Sequence, residues 1–110
     1  MLRTALLDTG ADDTVFPESC AAFLGIDLTG VPVGQLSSVT MQGVPIRFVR
    51  APLRLATHQE RRQWEAWVGF TDTIRRPVLG YPGCLQFFDA HFRGALRQIE
   101  LTVNDSYPGT

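Results

Sequence analysis

The chain has 110 residues, of which 45% are hydrophobic, and its formal net charge at pH 7 is −1. A chain of this length forms one domain, and this apolar content excludes a chain that stays disordered. The small net charge gives no electrostatic basis for binding nucleic acid or an anionic membrane.

Short apolar segments separated by glycine and proline make up the first half of the chain. Residues 4–7 predict a strand. Residues 17–24 predict a short helix, because proline suits the first helical turn and a glycine follows its end. Residues 33–49 predict a β-hairpin whose turn lies near Gln42-Gly43, and residues 53–55 continue the same alternation.

The second half continues the pattern of short elements. Alternation over residues 64–70 predicts a half-buried strand, and residues 77–80 form a short apolar run. Apolar residues within 84–92 are spaced three and four positions apart, which predicts a helix. Residues 98–104 predict a last strand, followed by a polar tail at residues 104–110 that is expected to fray.

Five or six strands with a helix near the C-terminus and no βαβ repeat predict a mainly β domain that spans residues 1–110. Cys20 and Cys84 are expected to be reduced and partly buried, and a single disulfide between them stays open. His58 and His91 are isolated, so neither a metal nor another cofactor is predicted. The sequence has neither a long apolar stretch nor a recognisable signal peptide, and a cytoplasmic location is therefore expected.

Residues 6–16 carry the most specific motif of the chain. An apolar strand delivers Asp8 into a turn formed by Thr9 and Gly10, and further polar residues follow at once. A carboxylate at the end of a buried strand is costly without a partner, which favours a chemical role. This segment resembles the active-site segment of retropepsin-like aspartic proteases, whose signature is two apolar residues followed by Asp-Thr/Ser-Gly-Ala.

The order of the later segments also resembles that family. A flap hairpin, a second apolar-apolar-Gly turn, a helix and a final strand follow the first motif in retropepsin-like chains. Residues 33–49 match the flap, residues 78–80 match the second turn, and residues 84–92 match the helix. The resemblance implies a retropepsin-like acid-protease β-barrel with one short C-terminal helix.

The resemblance also implies a symmetric homodimer that hydrolyses peptide bonds. An aspartic protease needs two carboxylates, whereas this chain supplies one Asp-Thr-Gly, so Asp8 of each copy would meet on the two-fold axis. Two close carboxylates share a proton, and one then acts as base on water while the other polarises the scissile carbonyl. Thr9 would hydrogen-bond across the dimer, and Gly10 would allow the turn and present a carbonyl to peptide. No cofactor, nucleic acid or membrane is implied.

Further residues of the site are assigned by their positions in the family pattern. Those expected to contact peptide substrate in the groove, the flap and a side-chain pocket are Ala11, Asp12, Asp13, Met41, Gln42, Gly43, Val44, Arg76 and Val78. Simpler roles stay open: the two acids after Ala11 could only cap a turn, residues 33–49 could form an ordinary hairpin, and Arg76 could be a solvated surface charge.

Three features depart from the family pattern. The family's N-terminal strand and hairpin are missing before Asp8, which only seven residues precede. Tyr81 stands where viral members place an arginine that pairs with the acid matching Asp12, and Pro45 follows the flap glycine closely. An inactive retropepsin-like domain that dimerises or binds peptide is therefore the alternative function. A metal hydrolase that uses Asp8, Asp12 and Asp13 is a remote third function, because histidine ligands and a calcium loop are missing.

Overall fold

A computed structural model describes residues 4–36 and 43–110 of the chain. Within these ranges the mainly β prediction is confirmed, since strands outnumber the single short α-helix. The elements are β1 (Leu6–Leu7), β2 (Val15–Pro17), α1 (Glu18–Phe23), β3 (Gly34–Leu36), β4 (Val44–Ala56), β5 (Arg61–Thr71), β6 (Val78–Leu79), β7 (Phe88–Arg93) and β8 (Gln98–Val103), with 3-10 helices at Leu85–Phe87 and Gly94–Leu96.

The described strands form one open sheet and one separate hairpin. The sheet has the order β1-β6-β2-β5-β4-β3, and β7 pairs only with β8. The closed barrel implied by the family resemblance is therefore wrong for the part of the chain that is described, because β1 and β3 lie at two free ends of the sheet. The expected strands of the 33–49 hairpin are confirmed, since β3 pairs antiparallel with the start of β4.

The centre of the sheet is the long hairpin of β4 and β5. Their antiparallel register runs from Arg47 opposite Phe70 to Ala56 opposite Arg61. Alternate residues of β5, including Trp64, Ala66, Val68 and Phe70, are buried in the core, as their spacing predicts. Packing on one face thus fixes this register, because a shift by one residue would expose the whole set.

The predicted helix at residues 84–92 is wrong. Only Leu85–Phe87 forms a 3-10 turn, and the chain then extends as β7. Residues 88–93 also alternate between apolar and polar side chains, and β8 carries the same alternation in register with them. Because β8 supplies a hydrogen-bonding partner, the period of two prevails over the helical spacing.

The expected frayed tail is instead packed against the domain. Tyr107 contacts the rings of Trp64 and Phe88 at centroid distances of 5.9 Å each. Its hydroxyl donates a hydrogen bond to the carbonyl of Gln63 at 3.1 Å. Thr110 exchanges two backbone hydrogen bonds with the same Gln63, at 3.1 and 3.3 Å. Residues 104–110 therefore extend the core along β5.

Candidate active site

Asp8 lies at the end of β1, in a turn that its own carboxylate stabilises. The backbone N–H of Gly10 donates to Asp8 Oδ1 at 3.0 Å, and the N–H of Ala11 donates to the Asp8 carbonyl at 3.1 Å. The Asp8 N–H donates to the Leu79 carbonyl at 3.0 Å, which ties the turn to β6. Asp8 and Thr9 are both exposed. The arrangement fixes one carboxylate oxygen and leaves the side chain open to solvent.

The position of this turn depends on the insertion of β6 between β1 and β2. Leu6 pairs with Val78 in a parallel ladder, while Val15 pairs with the same Val78 in an antiparallel ladder. The chain segment 8–14 therefore connects two strands that β6 separates. This crossing brings the second apolar-apolar-Gly turn, residues 78–80, beside the Asp8 turn.

Thr14 joins the two turns from below. Its buried hydroxyl accepts a hydrogen bond from the Gly80 N–H at 3.1 Å and donates one to the Pro82 carbonyl at 2.9 Å. The N–H of Tyr81 donates to the Ala11 carbonyl at 3.4 Å. These bonds hold residues 80–82 against the Asp8 loop without any covalent link.

Gly80 is required by a close backbone approach. A Cβ atom at this position would lie 2.2 Å from the carbonyl oxygen of Asp13 and 3.1 Å from that of Ala11. No real side chain tolerates the first of these distances, so any larger residue must push the two turns apart. Gly80 thereby sets the distance between the second turn and the loop of residues 8–14.

Asp12 and Asp13 follow the turn in the same loop. Asp12 is exposed and Asp13 is half-buried. Burial, followed by the neighbouring Asp12 charge, raises the pKa of the Asp13 carboxyl above its ordinary value. Within residues 4–36 and 43–110, neither acid forms an ion pair with a basic side chain. The arginine partner that viral family members use has no replacement in this part of the chain.

The flap and pocket residues have different fates. Met41 and Gln42 lie outside the described residues. Gly43 has a φ of +64°, the left-handed conformation that glycine adopts readily, as a turn there predicts. Val44 packs against the buried pair of Val15 and Ile46. The start of β4 therefore adjoins β2, the strand that follows the loop of residues 8–14.

The two remaining predicted residues lie near β6. Val78 is half-buried and pairs with both Leu6 and Val15, so it is close to the Asp8 turn. Arg76 is exposed in the loop that precedes β6. The described structure thus gathers the residues from Asp8 to Asp13 with Val78, and it leaves Arg76 as a surface charge within reach of solvent.

Three large apolar side chains near the Asp8 turn are exposed. Leu6, Leu7 and Tyr81 expose 45%, 36% and 56% of their surface. Exposed apolar side chains of this size are common at contacts with other molecules. These three residues lie in β1 or in the turn that Thr14 holds against it.

The sequence alone indicates Gly80 as the end of the second turn and Tyr81 as a departure from the family pattern, but it does not indicate the contacts that these two residues and Thr14 make. Gly80 had a detectable signal, since a glycine after an apolar pair often marks a close backbone approach. Thr14 had none, because a single threonine before an apolar strand has many ordinary roles.

Comparison with protein-family models, with curated proteins and with solved structures finds no match. Within the described ranges, no group of three or more His, Cys, Asp or Glu side chains is arranged to hold a metal ion. No helix in the same ranges is long and apolar enough to cross a membrane.

Proposed function

We propose that the chain is an aspartic endopeptidase of the retropepsin type, with Asp8 as its catalytic carboxylate. The observation that carries the proposal is the Asp8-Thr9-Gly10 turn. One oxygen of Asp8 is held by the Gly10 N–H at 3.0 Å, and the side chain is otherwise exposed. A carboxylate oriented by a backbone donor and open on one side suits proton exchange with a bound water.

The second carboxylate comes from a second copy of the chain. In a two-fold dimer each axial residue meets its own copy, so Asp8 acquires the partner that one chain does not provide. The exposed apolar side chains of Leu6, Leu7 and Tyr81 beside the turn support such a contact, because they are costly to leave in water.

The reaction follows from the two carboxylates and one shared proton. The ionised Asp8 removes a proton from water while the water oxygen bonds to the scissile carbonyl carbon. The protonated Asp8 of the second copy donates a hydrogen bond to the carbonyl oxygen and stabilises the charge that develops there. The C–N bond then breaks, and the leaving amine takes a proton from a carboxyl group. Because the mechanism needs one ionised and one protonated carboxyl group, activity should fall at pH values that leave both groups in the same state.

Four neighbours of Asp8 and two flap residues have supporting roles in this proposal. Thr9 hydrogen-bonds across the dimer and keeps the carboxylates coplanar, and Gly10 presents its carbonyl to the peptide. Asp12 and Asp13 meet the peptide backbone or polar side chains further along the groove. The flap, which includes Gly43 and Val44, closes over the substrate and excludes water.

The test is cleavage of a mixed peptide library between about pH 4 and pH 7, the region in which a carboxylate pair shares a proton. Purified protein should cut the library, and the Asp8→Asn variant should not. Matched circular dichroism spectra must show that the variant is folded. Equal cleavage by both proteins would refute the proposal, because the activity would then not depend on Asp8.

A further inference from the structure

Among the described residues, β4 has a free edge along most of its length. β3 pairs only with residues 44–46 of β4, whereas β5 pairs on the other side from Arg47 to Ala56. No other described strand pairs with β4. Residues 48–56 therefore present one unpaired edge of a central strand, a feature that proteins usually shorten, twist or cover.

The neighbours of β5 reveal which backbone groups point to that edge. Gln63 uses both its N–H and its C=O to bond Thr110, so both groups point away from β4. Its partner across the ladder, Arg54, is therefore in a non-hydrogen-bonded pair and points its own groups outward. The N–H of Gly69 also bonds a residue outside β4. Its partner Phe48 therefore likewise points its N–H and C=O away from β5. The even-numbered residues from 48 to 56 thus face the free edge.

Pro52 is one of these even-numbered residues, a position that suits proline. Proline has no N–H and would break a ladder at any hydrogen-bonded pair. At position 52 it lies opposite Glu65 in a pair whose groups point away from each other, so the β4–β5 ladder loses no bond. The free edge consequently offers four N–H donors and five carbonyl acceptors over residues 48–56.

An apolar groove of about 420 Å³ runs along the same edge. Its walls include Ala51, Leu53 and Leu55 from the inward face of β4, together with Phe16 of β2 and Leu24, which follows α1. Ala51 and Leu53 are buried, and Leu55 is half-buried. A strand added to β4 would place every second side chain into this groove, since side chains alternate between the faces of a sheet.

The other face of the edge is basic. Arg50 and Arg54 alternate with the inward residues of β4, and both are exposed. Arg54 also borders the groove. Neither forms an ion pair with an acidic side chain in the described ranges. Opposite charges on adjacent strands are favourable, whereas like charges directly opposite each other are not. An added strand would therefore gain from acidic residues at the positions beside these two arginines.

We propose that this edge binds an extended segment of another protein in which apolar residues alternate with acidic residues. Backbone hydrogen bonds to the outward groups of β4 supply affinity, and the groove and the two arginines supply the sequence preference. A second copy of the chain fits less well, because a two-fold pairing about Pro52 would set Arg50 against Arg54 of the copy. The proposal does not depend on peptide cleavage by Asp8.

The probe is a blocked peptide of alternating valine and glutamate, long enough to span residues 48–56. Its controls are the same peptide with lysine for glutamate, and the valine-glutamate peptide N-methylated at alternate residues that would face β4. The Asp8→Asn protein is used, so that cleavage cannot consume the probe. Heteronuclear NMR titration should show the glutamate peptide binding roughly ten-fold more tightly than either control.

Amide hydrogen exchange identifies the edge directly. In free protein the outward N–H groups of Arg50 and Arg54 should exchange quickly, while those of Ala51 and Leu53, which bond β5, should be protected. Saturating glutamate peptide should slow the outward amides at least ten-fold and leave the inward ones unchanged.

Two variants separate charge from backbone pairing. Arg50→Gln with Arg54→Gln should remove the preference for glutamate over lysine, while Arg61→Gln, at the exposed start of β5, should keep it. Arg54→Pro removes one outward donor without touching the β4–β5 ladder, and it should weaken binding at least five-fold. If that variant does not fold, the N-methylated peptide tests the same backbone bonds.

Three results would overturn the proposal. The first is no binding of the glutamate peptide at millimolar concentration, and the second is equal binding of the glutamate and lysine peptides. The third is protection of the Arg50 and Arg54 amides in protein without peptide. Protection that is lost on dilution would assign the edge to a second copy, and protection at every concentration would assign it to the chain itself.

Discussion

The hydroxyl of Thr14 accepts a hydrogen bond from the N–H of Gly80 at 3.1 Å, across 66 positions of sequence. The same hydroxyl donates to the Pro82 carbonyl at 2.9 Å. Thr14 is 1% exposed and its bond with Gly80 is buried, so water does not readily replace that bond. One buried side chain therefore joins the second turn to the loop after Asp8, beside the backbone bond from Tyr81 to Ala11.

Thr14→Val should destabilise the domain by about 1–3 kcal/mol, because the buried Gly80 N–H loses its hydrogen-bond partner. Valine has nearly the same shape, so packing alone changes little. Thr14→Ser keeps the hydroxyl and should cost clearly less. Urea unfolding of the two variants measures the difference, and equal stability would show that the hydroxyl bonds do not hold the two turns together.

Gly80→Ala should also be destabilising, by at least about 2 kcal/mol, because the new methyl group would meet the Asp13 carbonyl oxygen at 2.2 Å. Gly94→Ala is the matched control. A Cβ at position 94 meets no atom within 4 Å, so its effect should stay within about 0.5 kcal/mol. Thermal unfolding compares the two variants, and a well-tolerated Gly80→Ala would contradict the close approach.

Stability should respond to pH in opposite directions through Asp13 and Asp27. Burial raises the pKa of Asp13, so its ionisation disfavours the folded state as the pH rises above about 3.8. The N–H of Thr29 donates to Asp27 at 2.8 Å and lowers the pKa of that carboxyl. Asp27 therefore adds stability above pH 3.8 that is lost as the pH falls through its lowered value.

Relative to wild type, Asp13→Asn should accordingly raise the melting temperature more at pH 7 than at pH 3. Asp27→Asn should lower it more at pH 7 than at pH 3. Each expected shift is small, on the order of a few degrees or less, because both groups are partly or fully solvated. Thermal melts of wild type and both variants at the two pH values provide the test. Shifts of the same sign for both variants would contradict the assigned environments.

The two cysteines should resist alkylation in the folded protein. Cys20 and Cys84 are free thiols and 0% and 1% exposed, and burial raises the pKa of the Cys84 thiol to about 12. Since the thiolate is the reactive form, iodoacetamide at pH 8 should label neither within an hour. Mass spectrometry should show two additions in guanidinium chloride. Rapid labelling of native protein would mean that the core around these residues opens.

Local patterns predicted the parts of the fold that depend on neighbours in sequence. The helix at Glu18–Phe23, the β5 alternation and the turn at Asp8 all follow from spacing and turn chemistry. The predicted helix at residues 84–92 is wrong because the spacing of these residues fits two periods, and only the distant β8 decides between them.

Contacts between distant segments were not predictable in the same way. The hydroxyl of Thr14 finds Gly80 only because β6 enters between β1 and β2. The free edge of β4 is likewise a property of sheet order, since an isolated alternating segment does not show whether its second edge is paired. Tyr107 was assigned to a frayed tail, because nothing local indicates that its ring packs on Trp64.

The catalytic role of Asp8 is tested most directly by comparing wild-type protein with Asp8→Asn in a peptide-cleavage assay near pH 5. Asparagine keeps the shape of the turn and can still accept the Gly10 N–H, so folding and any dimer should persist. Wild-type protein should cleave extended peptides, and the cleavage rate of the variant should be at least a thousand-fold lower. Undiminished cleavage by the folded Asp8→Asn variant would contradict the catalytic role of Asp8.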